Sequence, residues 1–116
     1  MVVRQHTERG LRVLAPAGEV DVYTVGGLRD ALSECLAAGD LRIVVDLTDV
    51  TFMDSSGLGV LVGGLKKVNS VGGSLRLVGP SSMLRRMLKT TGLTRVFDLY
   101  DSLADLLATE PAEALD

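Results

Sequence analysis

The chain is poor in the residue types that usually mark specialised sites. It has no tryptophan, and aromatic residues make up only 3% of its 116 positions, so the core must consist mainly of Val, Leu, Ile and Ala. Its single cysteine excludes an internal disulfide and suits a reducing cytosol. The formal net charge of -3 argues against direct binding to nucleic acid, because such binding needs a basic face.

Long apolar runs are also missing. No stretch approaches the roughly 18 apolar residues of a membrane-spanning helix, and the polar N-terminal segment MVVRQHTERG does not resemble a secretion signal. We therefore expect a soluble, cytoplasmic chain without a membrane partner. Hydrophobic residues make up 47% and charged residues 23%, a balance typical of a globular protein, and the length fits one domain.

Catalytic and ligand-binding motifs are incomplete. Gly59 and Gly64 have the spacing of a phosphate-binding P-loop, but Leu65 occupies the position where that loop requires lysine. The dinucleotide motif G-x-G-x-x-G and the hydrolase motif G-x-S-x-G each lack a required glycine. The only histidine, His6, lies in the first predicted strand, and one Cys with one His cannot form the usual metal clusters. We predict that the protein is not an enzyme and needs no metal or cofactor.

Hydrophobic periodicity alternates between strand and helix along the chain. The run LRIVVDL is typical of a strand that is covered on both faces. Strand–helix–strand alternation after it favours parallel pairing with right-handed crossovers, while the first two strands suggest an antiparallel hairpin. The predicted order is β-β-α-β-α-β-α-(β)-α, with strands at 2–6, 11–18, 41–47 and 74–79, helices within 21–40, 55–71, 80–92 and 101–109, and a short segment at 94–100. Residues 1–109 form the predicted domain, and 110–116 form a frayed tail.

The segment FMDSSGLG places an acid, two serines and two glycines where a predicted strand passes into a helix. Asp54, Ser55 or Ser56 can cap the helix, since short oxygen side chains accept hydrogen bonds from the first-turn amides. One cap suffices, however, and Gly57 and Gly59 each cost about 1 kcal/mol relative to alanine in a helix. Two explanations of these glycines stay open: they expose backbone to a partner or a phosphoryl donor near Ser55, or they allow close helix–sheet packing.

Two segments resemble the anti-sigma factor antagonists of the STAS domain family. They are GEVD, residues 18–21, followed by Thr24, and VVDLTDVTFMDSSGLGVLVG, residues 44–63. The likeness covers nearly the whole chain. It implies a single α/β domain with a mixed, mostly parallel β-sheet and helices packed mainly on one side.

The resemblance implies a role in partner switching. An unphosphorylated antagonist of this family binds an anti-sigma factor that is also a serine kinase, and so releases a sigma factor for transcription. Phosphorylation by the kinase ejects the antagonist, and a serine phosphatase restores binding. On this sequence the implied phosphoacceptor is Ser55. The implied partner-binding residues are Asp21, Thr24, Asp54, Ser55, Ser56, Gly57 and Leu58.

Two functions from other classes stay open at this point. The domain could serve as a STAS scaffold or sensor subunit in a larger regulatory assembly. Alternatively, the glycine-rich helix start could bind a nucleotide or another small phosphate. The missing P-loop lysine counts against tight nucleotide binding.

Overall fold

Strands and helices alternate along residues 1–110, the part of the chain that the computed structural model describes. The strands are β1 (Val3–Glu8), β2 (Leu11–Pro16), β3 (Gly18–Val20), β4 (Arg42–Asp46), β5 (Val50–Met53), β6 (Ser74–Val78) and β7 (Leu99–Tyr100). The helices are α1 (Val25–Ala37), α2 (Ser55–Ser70), α3 (Ser82–Thr90) and α4 (Leu103–Ala108), with a 3-10 turn at Leu93–Arg95. Within residues 1–110, no helix combines the length and the apolar character needed to cross a bilayer.

The main sheet has five strands in the order β1-β2-β4-β6-β7. β1 pairs antiparallel with β2, and every other neighbouring pair is parallel. β4 lies at the centre, where Ile43, Val44 and Val45 are all buried, which explains why its run is apolar on both faces. The predicted mixed, mostly parallel sheet is confirmed.

The two faces of the main sheet carry unequal layers of helix. α1, α2 and α3 contribute to the larger core, in which Leu28, Leu61 and Leu84 are almost fully buried. The short α4 contributes to a smaller core, where Leu106 packs with Val44. Neighbouring strand residues point to opposite faces, so β4 supplies both cores at once. The prediction that the helices pack mainly on one side is confirmed.

A second, two-stranded parallel sheet is formed by β3 and β5, and the predicted order omits both strands. The predicted strand over 11–18 ends at Pro16 in the structure. Gly18 then begins β3 with a φ of +89°, a left-handed conformation that favours glycine and redirects the chain. Strands as short as β3 and β5 carry no clear periodic signal, and they pair only with each other, across α1 and β4.

Small differences from the predicted boundaries occur near the C-terminus. Pro80, the first residue of the segment 80–92 predicted to hold a helix, lies just outside α3, because Ser81 is the cap and the helix begins at Ser82. The predicted segment at 94–100 divides into the 3-10 turn and the short edge strand β7. The helix predicted within 101–109 is α4, and Ser102 caps it.

The last described residue, Glu110, is held by two arginines of the main sheet. Its carboxylate pairs with Arg76 of β6 at 2.6 Å and with Arg42 of β4, and its side chain is only 4% exposed. Burial by itself raises the pKa of Glu110, but the hydrogen bonds and charges of Arg76 and Arg42 outweigh burial and lower it. The predicted tail 110–116 thus begins with a residue held in place, and its remaining residues lie outside the described part of the chain.

We expect Glu110→Gln to lower the free energy of unfolding at neutral pH by about 1–3 kcal/mol, because the two arginines lose their anion. A lowered folded-state pKa means that this contribution is fully present above the ordinary glutamate pKa of about 4.5 and is lost as the pH falls through the folded value. Denaturant unfolding at neutral and acid pH should therefore give a difference between wild type and variant that closes in acid. A difference independent of pH would contradict this role of the ion pairs.

Candidate functional site

The start of α2 is capped by the residue that precedes its first serine. Asp54 has an extended backbone, and its carboxylate oxygen Oδ1 accepts a hydrogen bond from the Ser56 N–H at 2.8 Å. The Asp54 carbonyl accepts hydrogen bonds from the N–H groups of Gly57 and Leu58. Of the three candidate caps, the structure therefore uses Asp54, and the helix start does not depend on a serine hydroxyl.

The Ser55 hydroxyl is accessible and has no structural role in the described part of the chain. Ser55 is the first residue of α2 and is exposed, and its Oγ makes no hydrogen bond to residues 1–110. The serines at the starts of α3 and α4 behave differently. Ser81 and Ser102 each use their hydroxyl as a cap, accepting hydrogen bonds from backbone N–H groups at 3.2 Å and 3.1 Å. Ser55 is thus a hydroxyl that an enzyme can reach and modify without breaking a helix cap.

The functional groups of the predicted site residues are hydroxyls and carboxylates. His6 pairs with Glu8 on the edge strand β1, at 3.2 Å, and not with Ser55. Across residues 1–110, no group of three His, Cys, Asp or Glu side chains is arranged to hold a metal ion. The arrangement can accept a modifying group or a partner, but it lacks the histidine that usually activates a catalytic serine.

The small sheet brings the loop after β3 to the start of α2. Its register pairs Val20 with Met53, and the Asp54 N–H donates to the Val20 carbonyl at 3.1 Å. Because the two strands are parallel, the residues that follow them, Asp21 and Asp54, leave the sheet at the same end. Asp21 and Ser55, which are distant in sequence, therefore belong to one region of the surface.

The Asp21 loop is held by its own hydrogen bonds. The Asp21 oxygen Oδ1 accepts from the backbone N–H groups of Tyr23 and Thr24 at 2.9 Å and 3.0 Å. The Thr24 hydroxyl lies 2.7 Å from the Glu19 carbonyl oxygen, to which it donates. Asp21 thus organises the turn that leads into α1, and the Thr24 hydroxyl, unlike that of Ser55, is already engaged.

Two predicted partner-binding residues, Gly57 and Leu58, lie beneath the surface. A Cβ on Gly57 would lie 2.5 Å from a Met53 side-chain carbon and 2.9 Å from one of Val20, so Gly57 allows α2 to pack against the small sheet. The explanation by access is wrong for Gly57, and the explanation by packing is correct. Packing does not explain Gly59, because a Cβ there would meet nothing within 4 Å. The explanation by access therefore remains for Gly59.

The structure adds surface features that the predicted site lacks. Tyr23 is 92% exposed and Val22 is 64% exposed in the loop after β3, and Phe52 is 41% exposed on β5. Exposed tyrosine is common at the energetic centres of protein interfaces. A groove between α1 and α2 also opens beside Ser55. Neither feature has a short-range sequence signal, because both depend on how separate segments pack.

Comparisons with known proteins agree with this fold. The STAS domain model matches residues 2–106. The anti-sigma-B factor antagonist of Bacillus subtilis (strain 168) is 48% identical over 84 residues, which span 72% of this chain and 75% of the relative. The anti-sigma F factor antagonist of Paenibacillus polymyxa is 31% identical over 101 residues, 86% of each chain. The crystal structure of an anti-sigma factor antagonist from Mycobacterium paratuberculosis matches with a TM-score of 0.85 at 29% identity, over 92% of this chain and 91% of that one.

The two glycines of the first turns of α2 should respond oppositely to the same substitution. We expect Gly57→Ala to destabilise the fold by about 1–2 kcal/mol, because the new methyl group overlaps Met53 and Val20. Gly59→Ala should stabilise it by about 0.5–1 kcal/mol, because alanine favours the helix and the site is open. Urea unfolding of both variants beside wild type measures these changes. Equal effects of the two substitutions would contradict the packing described for Gly57.

Proposed function

Because this chain belongs to the STAS domain family, and within it to the anti-sigma factor antagonists, we propose that it binds a serine-kinase anti-sigma factor and is released when that kinase phosphorylates Ser55. The bound anti-sigma factor no longer holds its sigma factor, which becomes free to direct transcription. A serine phosphatase returns the chain to its binding form. This exchange takes place in the cytoplasm, where RNA polymerase works.

The observation that carries the proposal is that one residue caps α2 while the next presents a free hydroxyl. Asp54 supplies the cap, and the adjacent Ser55 hydroxyl is exposed and makes no hydrogen bond within residues 1–110. The kinase can therefore transfer a phosphoryl group to the Ser55 oxygen: the new O–P bond forms, the bond to the leaving ADP breaks, and the hydroxyl proton is released. No hydrogen bond of the described fold has to break for this step.

The phosphorylated chain should stay folded. A phosphate carries about -1.5 to -2 charges at neutral pH. The positive end of a helix dipole stabilises a nearby anion by about 0.3–1 kcal/mol at the surface, and the first turn of α2 after the Asp54 cap contains no acidic residue. Release of the partner then follows from charge at the interface and not from unfolding.

At the interface the same phosphate is unfavourable. It adds negative charge to a surface that already holds Asp54 and Asp21, and docking would remove these groups from water. Each 1.4 kcal/mol of such a penalty lowers affinity about tenfold, so a few kcal/mol suffice to switch the complex off. We propose that Asp21, Thr24, Asp54, Ser55 and Ser56 contribute to the contact surface, while Gly57 and Leu58 support it from below.

Incubation with a serine-kinase anti-sigma factor and ATP should place one phosphate on Ser55, identified by mass spectrometry of the digested chain. Ser55→Ala should abolish incorporation and bind the kinase persistently, because the accepting oxygen is gone and no charge is added. Ser56→Ala is the control for position and should still receive its phosphate on Ser55. Phosphate found only on Ser56, Thr24 or Thr51 would contradict the assignment.

A permanent charge at Ser55 should separate binding from stability. We expect Ser55→Asp to weaken binding to the anti-sigma factor by about tenfold or more, with a melting midpoint within about 2 °C of wild type. Ser82→Asp is the matched control, because Ser82 is also the exposed first residue of a helix, α3, and is not part of the proposed contact surface. Calorimetric titration and thermal melting measure the two quantities. Wild-type affinity in Ser55→Asp would rule out release by charge.

A further inference from the structure

The groove between α1 and α2 begins at Ser55 and extends away from it. It encloses about 310 Å³, with Ser55 and Ser56 among its lining residues at the start of α2 and Lys67 among those near the end. Ser55, Gly59, Gly63 and Lys67 recur every fourth residue, so they line one side of the groove along about 18 Å of helix. That length matches about three turns of another helix.

Two glycines in this groove have no packing reason within the described chain. A Cβ on Gly59 or on Gly63 would meet nothing within 4 Å, whereas one on Gly64 would lie 3.2 Å from Leu32. Each glycine costs about 1 kcal/mol of helix stability relative to alanine. Packing in the described fold therefore accounts for Gly64, while Gly59 and Gly63 keep the groove open and leave the α2 backbone accessible.

The groove is locally positive in a chain whose formal net charge is -3. Arg29 of α1 and Lys67 of α2 line it, and no carboxylate is among its described lining residues. Both cations are exposed, and neither forms an ion pair with another residue of the segment 1–110. Leu32, Leu36 and Val60 supply the apolar wall between them. A complementary ligand presents an apolar strip flanked by carboxylates.

We propose that this groove receives an acidic amphipathic helix of the anti-sigma factor, an inference that rests on the proposed function and extends it to the partner's side. The open floor at Gly59 and Gly63 lets the incoming helix approach closely, and its carboxylates meet Arg29 and Lys67. A phosphate on Ser55 stands at one end of the groove. It repels the acidic helix, which explains how a group at the mouth of the groove releases a partner bound along its length.

Charge reversal tests the electrostatic part of this inference. The double variant Arg29→Glu, Lys67→Glu should bind the kinase that phosphorylates wild-type Ser55 about tenfold more weakly, and the loss should shrink in high salt. Lys66→Glu is the matched control for Lys67→Glu alone, because it makes the same charge change one residue away on α2, outside the groove. It should bind like wild type. Equal losses from Lys66→Glu and Lys67→Glu would indicate a general charge effect and overturn the proposal.

Filling the groove tests its shape. Gly63→Leu should weaken binding by about tenfold or more, while its melting midpoint stays equal to or above that of wild type, because leucine is the better helix former. Asn69→Leu adds the same side chain to an exposed position of α2 outside the groove and should bind normally. If Gly63→Leu unfolds, the binding affinities of Gly63→Ala and of the charge-reversal variants test the inference instead. Wild-type binding by these variants would overturn the inference.

The outcomes separate this inference from the proposed function. If Ser55→Asp releases the kinase but all groove variants bind normally, the groove is not the docking site, and partner switching stands. If the wild-type chain binds no serine-kinase anti-sigma factor, both fall. Thermal stabilisation of the wild-type chain by ATP or GTP that Gly63→Leu abolishes would identify a nucleotide pocket and overturn the helix as occupant.

Discussion

The hydrogen bond from the Ser56 N–H to the Asp54 carboxylate determines what the rest of the site can do. Every helix start needs acceptors for its first amides, and in α3 and α4 a serine hydroxyl is used for this purpose. Asp54 takes that role in α2. The next residue, Ser55, therefore lies in the first turn, and its hydroxyl makes no hydrogen bond in the described fold. This is the condition for a modification that changes binding without changing folding.

The pairing of β3 with β5 is the second requirement. It adds little to the core, yet it places the residues after both strands at one end of a small sheet, and Gly57 lets α2 pack closely against that sheet. The loop that Asp21 organises therefore belongs to the same surface as Ser55. The large core beneath α1, α2 and α3 keeps this surface in place, so that a partner meets a preorganised region.

Charge links the site to the groove beside it. In the free protein, the N-terminal end of α2 stabilises an anion. In a complex, a partner must bury that anion next to carboxylates. The two effects act on different equilibria, one on folding and one on association. The phosphate that we propose on Ser55 would therefore leave folding nearly unchanged and oppose association. Arg29 of α1 and Lys67 of α2 make the neighbouring groove positive in an acidic protein, and we propose that this charge selects an acidic occupant.

The sequence alone determined the main sheet and its helices, because these rest on local patterns of apolar runs and helical periodicity. The segment FMDSSGLG located the candidate site, and the family resemblance that it carries implied Ser55 as the phosphoacceptor. It could not decide which of Asp54, Ser55 and Ser56 is the cap, since all three are good caps. It also left the roles of Gly57 and Gly59 open. Only the tertiary structure decided these points, because the space around a glycine, the pairing of β3 with β5 and the groove between α1 and α2 are set by segments far apart in the chain.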